Sequence, residues 1–173
     1  MNKIIIEQFS ENEWAGILVD ENRLKACTFL KHNKEAVINY LKQFSDGNFV
    51  VEESSHTLLS LIKKIRYGEY YTLPRIDFDF DGYTQKEIKV LNIVADIPFG
   101  ETASYGEVAQ RAGLRNAARF VGNVMRKNRF APIIPCHRVV RTDGKIGNYS
   151  ISLNDPKKGR SIKKKLIEQE KRR

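Results

Sequence analysis

Pro132-Ile-Ile-Pro-Cys-His-Arg-Val-Val140 is the stretch around which this 173-residue chain is organised. It sets one cysteine beside a histidine and an arginine in an otherwise apolar run. The thiolate is the reactive form of cysteine, and a neighbouring base or positive charge favours it. Adjacent residues of an extended strand point to opposite faces, so His137 needs a turn or a bridging water to take the proton of Cys136. Pro135 favours such an irregular backbone.

The Cys136–His137 pair alone also fits a purely structural cysteine. Free cysteine is among the most buried residue types, and the surrounding residues are apolar. Taken alone, the dipeptide favours that structural interpretation, and an activated nucleophile is the alternative.

Composition limits the class of protein. The length suits one domain or two small ones, and 41% hydrophobic residues can build a core. No apolar run approaches the roughly 20 residues of a membrane span, and the first residues do not resemble a signal peptide. Two cysteines do not suggest a disulfide scaffold, so we expect a reducing, intracellular setting. A net charge of +9 suggests a polyanionic partner, although the basic runs of the last helix also fit a solvated tail.

The first part of the chain predicts a small α+β module with no catalytic signature. Apolar patterns and turn residues predict strands over 3–9, 14–19, 23–29 and 49–53, and helices over 34–44 and 56–67. Gly68–Gly82 lacks helical periodicity, which is typical of a linker. We therefore place one module at residues 1–76 and a second at 77–173.

Cys27 and His32 raise the question of a metal site. A closed structural zinc site needs about four ligands, and His56 is the only other histidine available in this module. We therefore expect no metal, with Cys27 in the core and His32 on the surface.

The second module carries clear helix signals. Thr84-Gln-Lys-Glu87 and Ser104-Tyr-Gly-Glu107 are capping boxes, and Asn116 can cap a third helix over 117–127. Asp155-Pro156 begins the last helix. Two short helices joined by the glycine turn at Gly113 predict a helix-turn-helix, a motif that binds DNA.

The second helix of that pair has an unusual face. Ala117, Ala118 and Gly122 are small, whereas Arg119 and Arg126 are charged. A major-groove helix normally presents several long polar side chains, whereas small residues permit the close approach that a minor groove requires. Packing of the small residues against the neighbouring helix explains the same pattern equally well.

Pro-Cys-His-Arg-Val, followed by Gly147-Asn-Tyr-Ser150, resembles the active-site signature of the O6-alkylguanine-DNA alkyltransferases, which repair DNA by moving an alkyl group onto that cysteine. The resemblance runs from about Phe80 to Glu170 and includes Phe-Gly-Glu-x-x-Ser-Tyr, an Ala-Ala-Arg helix and Asn128. It implies an α/β (α+β) fold, with a ribonuclease H-like N-terminal module and a mainly helical C-terminal domain that carries a winged helix-turn-helix.

The resemblance assigns catalytic roles by position. Cys136 would accept the alkyl group, and His137 would accept the thiol proton through a water. Glu170 would orient the imidazole. Asn128 would tie the DNA-reading helix to the cysteine loop. Residues 151–158 are longer than the corresponding family segment, which bears on the register of Glu170.

The resemblance also implies how the damaged base is reached. A base inside a duplex must be rotated out of the stack, and Arg119 would fill the space that it leaves. Tyr105 would meet the rotated phosphate and the base, while the carbonyls of Cys136 and Val139 and the Ser150 amide would recognise guanine. The substrate-binding set is Tyr105, Val139, Tyr149 and Ser150, and the DNA-binding set is Tyr105, Gly106, Ala117, Ala118, Arg119 and Gly122. Ile151-Ser152 replaces a glycine pair found in many relatives, which would narrow the alkyl pocket.

The expected protein is therefore a stoichiometric repair protein, because an S-alkyl thioether is stable. We expect it to need no cofactor or metal, to bind double-stranded DNA through the minor groove, to have no membrane association and to be a monomer. Its expected location is cytoplasmic, or nuclear in a eukaryote. The main alternative is a helix-turn-helix protein that recognises alkylated DNA without repairing it. A DNA-binding regulator and a cysteine hydrolase are further alternatives.

Overall fold

The computed structural model describes residues 1–152 and 155–172. Within these residues the chain forms a mixed α/β fold with a five-stranded sheet, a two-stranded sheet and six α-helices. No helix of the described chain is both long enough and apolar enough to cross a membrane.

The five-stranded sheet is built mainly by the N-terminal part of the chain. Its strands are β1 (Asn2–Ser10), β2 (Glu13–Asp20), β3 (Arg23–Lys31), β4 (Phe49–Glu53) and β5 (Asp77–Phe78), in the order β4-β1-β2-β3-β5. β1, β2 and β3 form an antiparallel meander, whereas β4 runs parallel to β1 and β5 parallel to β3. The four predicted strands are confirmed, with ends that differ by at most two residues.

Both faces of the sheet are buried along β1, β2 and β3, whereas the edge strand β4 is largely exposed. Ile4 and Ile6 pack with α1 (Lys34–Leu41), while Ile5 belongs to the larger core on the opposite face. Neighbouring strand residues point to opposite faces, so burial on both sides selects a continuous apolar run rather than an alternating one. The larger core also receives α2 (Thr57–Tyr67) and the C-terminal helices, which joins the two halves of the chain.

Local signals explain where the N-terminal helices begin and end. The Asn33 side chain accepts the Ala36 N–H and caps α1, whose predicted last turn is a 3₁₀ segment, Lys42–Phe44. His56 caps α2 through its ring nitrogen, and Gly68 ends α2 with a left-handed φ of 68°. An added Cβ on Gly68 would also lie 2.7 Å from the Gln169 Cβ of the last helix, so a side chain is excluded on two grounds.

The C-terminal part is mainly helical. In chain order it contains α3 (Gln85–Ala95), β6 (Ala103–Ser104), α4 (Tyr105–Arg111), α5 (Ala118–Lys127), β7 (Val139–Val140) and α6 (Pro156–Lys171). Both predicted capping boxes are present, with the Thr84 and Ser104 hydroxyls accepting the N–H groups of Glu87 and Glu107. β6 and β7 pair in parallel and bring the start of α4 beside the cysteine segment.

One predicted cap is wrong. Asn116 was expected to cap the helix that follows, but Ala117 occupies the N-cap position of α5 and makes no side-chain cap bond. Asn116 instead adopts a left-handed φ of 54°. Asparagine tolerates this conformation better than most residues, because its short polar side chain can form local hydrogen bonds. Asn116 therefore forms part of the tight turn and does not cap the helix.

The predicted placement of Cys27 and His32 is confirmed, since Cys27 is buried and His32 exposed. The Cys27 thiol donates to the Ala131 carbonyl at 3.3 Å. Over the residues that the structure describes, no group of three or more histidine, cysteine or acidic side chains is arranged to hold a metal ion.

Substitution of Gly16 by alanine tests how closely α1 packs on the sheet. A Cβ at Gly16 would collide with Val37 Cγ1 and lie 3.0 Å from Leu41 Cδ1 and 3.2 Å from the Ile5 carbonyl oxygen. Gly16→Ala should therefore lower the free energy of unfolding by about 1–3 kcal/mol, measured by chemical denaturation. In the Val37→Ala background the same substitution should cost less, and an equal cost in both backgrounds would contradict the proposed contact.

Candidate active site

Cys136 lies on a turn, as its neighbouring proline predicts. Pro135 has φ −80° and ψ 63°, and Cys136–Arg138 form a single 3₁₀ turn. The Cys136 N–H donates to the Ile134 carbonyl at 2.8 Å, and the Arg138 N–H donates to the Pro135 carbonyl at 2.8 Å. The turn frees the side chains of Cys136 and His137 from the strict alternation of a strand.

The cysteine faces a cleft of about 270 Å³ between α5 and the segment around Tyr149. The cleft is lined by Tyr105, Gly122, Asn123, Met125, Arg126, Cys136, Asn148, Tyr149 and Ser150. Three of the four predicted substrate-binding residues, Tyr105, Tyr149 and Ser150, therefore surround the thiol. The fourth, Val139, is buried in β7.

The thiol is buried, and burial opposes its ionisation. Cys136 is only 2% exposed, and its Sγ lies 3.4 Å from the Ser150 Oγ. Burial raises the pKa of Cys136, and the Ser150 hydrogen bond and the Lys163 charge only partly offset this. In the free protein, burial therefore disfavours the thiolate more strongly than the neighbouring hydroxyl and cation favour it.

His137 is fully buried and paired with Glu170. Its Nε2 lies 2.9 Å from the Glu170 Oε1, whereas its Nδ1 has no hydrogen-bond partner among the described protein groups. Burial lowers the pKa of His137 more than Glu170 raises it, so the imidazole is neutral near pH 7. With Nε2 as the donor to Glu170, Nδ1 carries the free lone pair of the ring.

Glu170 is the centre of a buried network. Its oxygens accept bonds from the Arg138 Nε at 2.9 Å and Nη2 at 3.0 Å, in addition to His137. Arg138 also donates to the Tyr71 hydroxyl at 2.7 Å and to the Ile97 carbonyl at 2.6 Å. Burial alone would raise the pKa of Glu170, but the bonds from His137 and Arg138 outweigh it and lower the pKa to about 2. The carboxylate is therefore ionised at any ordinary pH.

Arg138 and Tyr71 were not expected to share this network. The sequence suggested Arg138 only as a positive charge near the thiol, and Tyr71 lies in the predicted linker, 67 residues away. Each side-chain nitrogen of Arg138 has a hydrogen-bond partner. The Cys-His-Arg triplet alone does not show whether its arginine is buried in this way or exposed.

Lys163 is a second residue that the sequence analysis missed. It is 1% exposed, and its Nζ lies 3.5 Å from the Tyr105 hydroxyl at the edge of the cleft. Burial lowers its pKa to about 8. Helical spacing offered a signal, since Lys163 stands three, four and seven residues before the inward-facing Leu166, Ile167 and Glu170.

Asn128 bridges the end of α5 and the cysteine segment. Its Nδ2 donates to the Ile134 carbonyl at 3.0 Å, and its Oδ1 accepts the Phe130 N–H at 3.0 Å. Both bonds are buried, and they connect the end of the helix to the cysteine loop in the way that the resemblance implies.

The predicted DNA-binding residues lie beside the cleft on α4 and α5. Gly106, Ala117 and Ala118 line a neighbouring groove that also includes the turn between the helices. Arg119 is exposed, and Gly122 lines the cysteine cleft. The residues expected to touch DNA therefore share one surface with the opening of the cleft.

The sequence analysis noted that residues 151–158 form a longer segment than in the family and that this bears on the register of Glu170. Leu153 and Asn154 lie outside the described residues, so the path of that longer segment is not described. α6 nonetheless carries Glu170 to His137. The catalytic, substrate and DNA roles of all these residues stay predictions.

The described chain combines a mixed α/β fold with a buried cysteine that faces a cleft and a buried histidine that is paired with a glutamate. Residues 85–172 match the family model described as 6-O-methylguanine DNA methyltransferase, DNA binding domain. This match covers half of the chain, and the chain belongs to this family.

Individual relatives agree with this assignment. The methylated-DNA–protein-cysteine methyltransferase of Methanothermobacter thermautotrophicus is 41% identical over 92 residues, which is 53% of this chain and 47% of that one. The chain spans about half the length of this curated relative. An O6-methylguanine DNA methyltransferase from Methanococcus jannaschii has a similar structure, with a TM-score of 0.64, 30% identity and coverage of 96% and 92% of the two chains. A Mycobacterium tuberculosis relative solved in complex with DNA gives a TM-score of 0.72 at 26% identity, covering 98% and 93%.

The low pKa of Glu170 predicts a specific pH dependence of stability. Because the folded pKa of about 2 lies below the ordinary 4.5, the contribution is fully present above pH 4.5 and is lost as the pH falls through 2. It amounts to about 3 kcal/mol of unfolding free energy, measured by denaturation across this pH range. Glu170→Gln should flatten that profile. Glu168 is an exposed carboxylate on the same helix, and Glu168→Gln should leave the pH profile unchanged. Equal effects of the two substitutions would contradict a low pKa of Glu170 as the cause.

Proposed function

We propose that this chain is a DNA repair protein that transfers an alkyl group, mainly methyl, from O6 of guanine to its own Cys136, once per molecule. The observation that carries the proposal is a thiol that faces a cleft and is followed in the chain by a neutral, buried histidine, whose ring is held by a carboxylate. The relatives are named for methylated DNA and a protein cysteine, which are the two reactants that such a site would join.

The transfer is a single displacement at carbon. The Cys136 sulfur forms a bond to the alkyl carbon while the bond from that carbon to O6 breaks, and the electron pair of the broken bond stays on guanine. The proton that leaves the thiol balances the proton that the restored guanine takes up. No electrons are exchanged with an outside agent, and the thioether product is stable, so each molecule acts once.

The buried thiol would ionise at the moment of reaction rather than in advance. Burial keeps Cys136 in its thiol form in the free protein. The free Nδ1 of His137 would accept the proton through a water, and Glu170 would stabilise the imidazolium that results. Glu170 therefore acts as an orienting and charge-balancing group, and Arg138 keeps it ionised.

The distribution of charge favours DNA as the partner of the C-terminal part. Residues 1–76 carry ten basic and ten acidic side chains, whereas residues 77–173 carry twenty basic and eleven acidic ones. The whole net charge therefore lies in the part that holds α4, α5 and the cysteine. Phosphate neutralisation by such a surface is the main source of affinity for DNA.

We propose that α4, the turn at Gly113 and α5 form a winged helix-turn-helix that enters the minor groove of double-stranded DNA. The small side chains of Ala117, Ala118 and Gly122 would allow the close approach. The damaged base would be rotated into the cleft, with Arg119 in its place and Tyr105 at the phosphate and the base. The proposed protein acts as a monomer, with residues 1–76 as a ribonuclease H-like module and 77–173 as the DNA-binding and alkyl-acceptor domain.

Incubation with a duplex that contains O6-methylguanine should add one methyl group to the peptide that bears Cys136. Mass spectrometry of the digested protein measures this, and the gain should saturate at one methyl per molecule because the thioether is not reversed. Cys136→Ala should gain none, while Cys27→Ala should still gain one methyl group per molecule, because Cys136 is the acceptor. Tight binding without a methyl gain would favour the alternative of recognition without repair, and multiple turnovers would favour a hydrolase.

Arg119→Ala should slow repair of duplex DNA by about tenfold or more, because holding a base out of the stack costs a few kcal/mol. Its reaction with O6-methylguanine as the free base should be unchanged, since no stack is opened. Arg111→Ala removes an exposed positive charge from the end of α4 and serves as the matched control. Equal losses on duplex and free base would show that Arg119 has another role.

A further inference from the structure

The cysteine cleft receives no side chain from the N-terminal sheet, yet that sheet holds the segment that leads to the cysteine. Every residue that lines the cleft lies at position 105 or beyond. β3 nevertheless bonds to this segment through its backbone, since the Cys27 N–H donates to the Arg129 carbonyl at 2.8 Å. The Cys27 thiol adds its bond to the Ala131 carbonyl.

The side chain of Arg129 connects to the sheet through Asp79, which directly follows β5. Its Nη2 donates to the Asp79 carbonyl at 2.6 Å and lies 3.6 Å from the Asp79 Oδ1. Asp79 is 1% exposed, and its N–H donates to the Leu24 carbonyl at 2.9 Å. The other carboxylate oxygen lies 3.9 Å from Arg23 Nη2 and 4.0 Å from Lys25 Nζ on β3. Asp79 therefore joins cations of the sheet to a cation of the cysteine segment.

Aromatic rings fix the Arg129 guanidinium from both parts of the chain. Its carbon lies 5.8 Å from the ring centre of Phe44, 5.2 Å from that of Tyr83 and 5.4 Å from that of Phe130. The Tyr83 hydroxyl also accepts the Arg129 N–H at 3.3 Å. A guanidinium held by a carboxylate and three rings has little freedom to move.

A short chain of contacts leads from this arginine to the sulfur. Asn128, which precedes Arg129, donates to the Ile134 carbonyl, and the same carbonyl accepts the Cys136 N–H at 2.8 Å. A shift of Arg129 would therefore displace Asn128 and the start of the cysteine turn.

We propose that Arg129 and Asp79 are positioning residues through which the N-terminal sheet sets the location of the Cys136 sulfur, an inference that rests on the proposed alkyl transfer. They touch neither the thiol nor the cleft. Their effect is on the geometry of attack, because an in-line displacement at carbon is sensitive to small displacements of the sulfur.

A second arginine with similar burial and an ion pair of its own serves as the control that separates an effect on positioning from an effect on stability. Arg66 pairs with Glu13 at 2.6 Å inside the N-terminal part, and its side chain is 16% exposed against 15% for Arg129. Arg129→Ala and Arg66→Ala are compared in single-turnover reactions with duplex DNA that contains O6-methylguanine, over a range of DNA concentrations. The maximal rate and the DNA concentration at half-maximal rate are obtained separately.

Arg129→Ala should lower the maximal rate by about tenfold or more while changing the half-maximal DNA concentration by less than about twofold. Arg66→Ala should leave both within about twofold, even where it costs as much thermal stability. Arg129→Lys should restore only part of the rate, because lysine keeps the charge but lacks the planar fork. Equal rates for the two alanine variants, or an unchanged rate for Arg129→Ala, would overturn the proposal. Asp79→Asn provides the same comparison if Arg129→Ala does not fold.

A second measurement is independent of DNA repair. Carboxamidomethylation of Cys136 by iodoacetamide and hydrogen exchange of the amides from Arg129 to Cys136 both report the geometry and rigidity of the segment. Both should change in Arg129→Ala and not in Arg66→Ala, and unchanged values in both variants would count against positioning. If the wild type gains no methyl group, the proposed function fails, while these two comparisons still decide whether Arg129 positions the cysteine segment.

Discussion

The buried carboxylate of Glu170 is the interaction on which the candidate site depends. It accepts from His137 and from two nitrogens of Arg138, and Arg138 in turn binds the Tyr71 hydroxyl and the Ile97 carbonyl. One side chain from the last helix thereby fixes the cysteine turn, the end of α3 and the segment after α2. A buried carboxylate would be costly alone. Its four donor contacts, which include the Gly100 N–H at 3.3 Å, and the arginine charge offset that cost.

Burial favours the uncharged form of three titratable groups in and near the cleft. It keeps Cys136 as a thiol and His137 as a neutral imidazole, and it lowers the pKa of Lys163 to about 8. The resting site therefore holds a nucleophile and a base in their uncharged forms, with one firmly ionised carboxylate behind the base. The sulfur and the imidazole would become charged only as the proton moves, in a buried setting where fixed dipoles and ions act strongly.

Local patterns predicted much of this structure because they need only a few neighbouring residues. Capping at Thr84 and Ser104, and the irregular backbone after Pro135, follow from local chemistry. Asn116 shows the limit, since the same side chain suits a helix cap and a left-handed turn, and only the folded chain shows that it adopts the turn. Lys163 was missed because it is the first of three consecutive lysines, and a run of lysines is normally exposed to solvent. Only its helical position shows that it faces inward.

The sequence by itself determined the helices and the four longer strands, the irregular backbone at the cysteine, the basic character of the C-terminal half and the family resemblance. The three two-residue strands were not predicted. Only the tertiary structure decided that burial governs the thiol, that Arg138 and Tyr71 support Glu170, and that Arg129 meets Asp79. Sequence patterns report which residues can form helices, strands and caps, over a range of a few positions. Burial and ion pairing depend on groups many residues apart, and their effects on pKa and geometry exist only once the chain has closed around them.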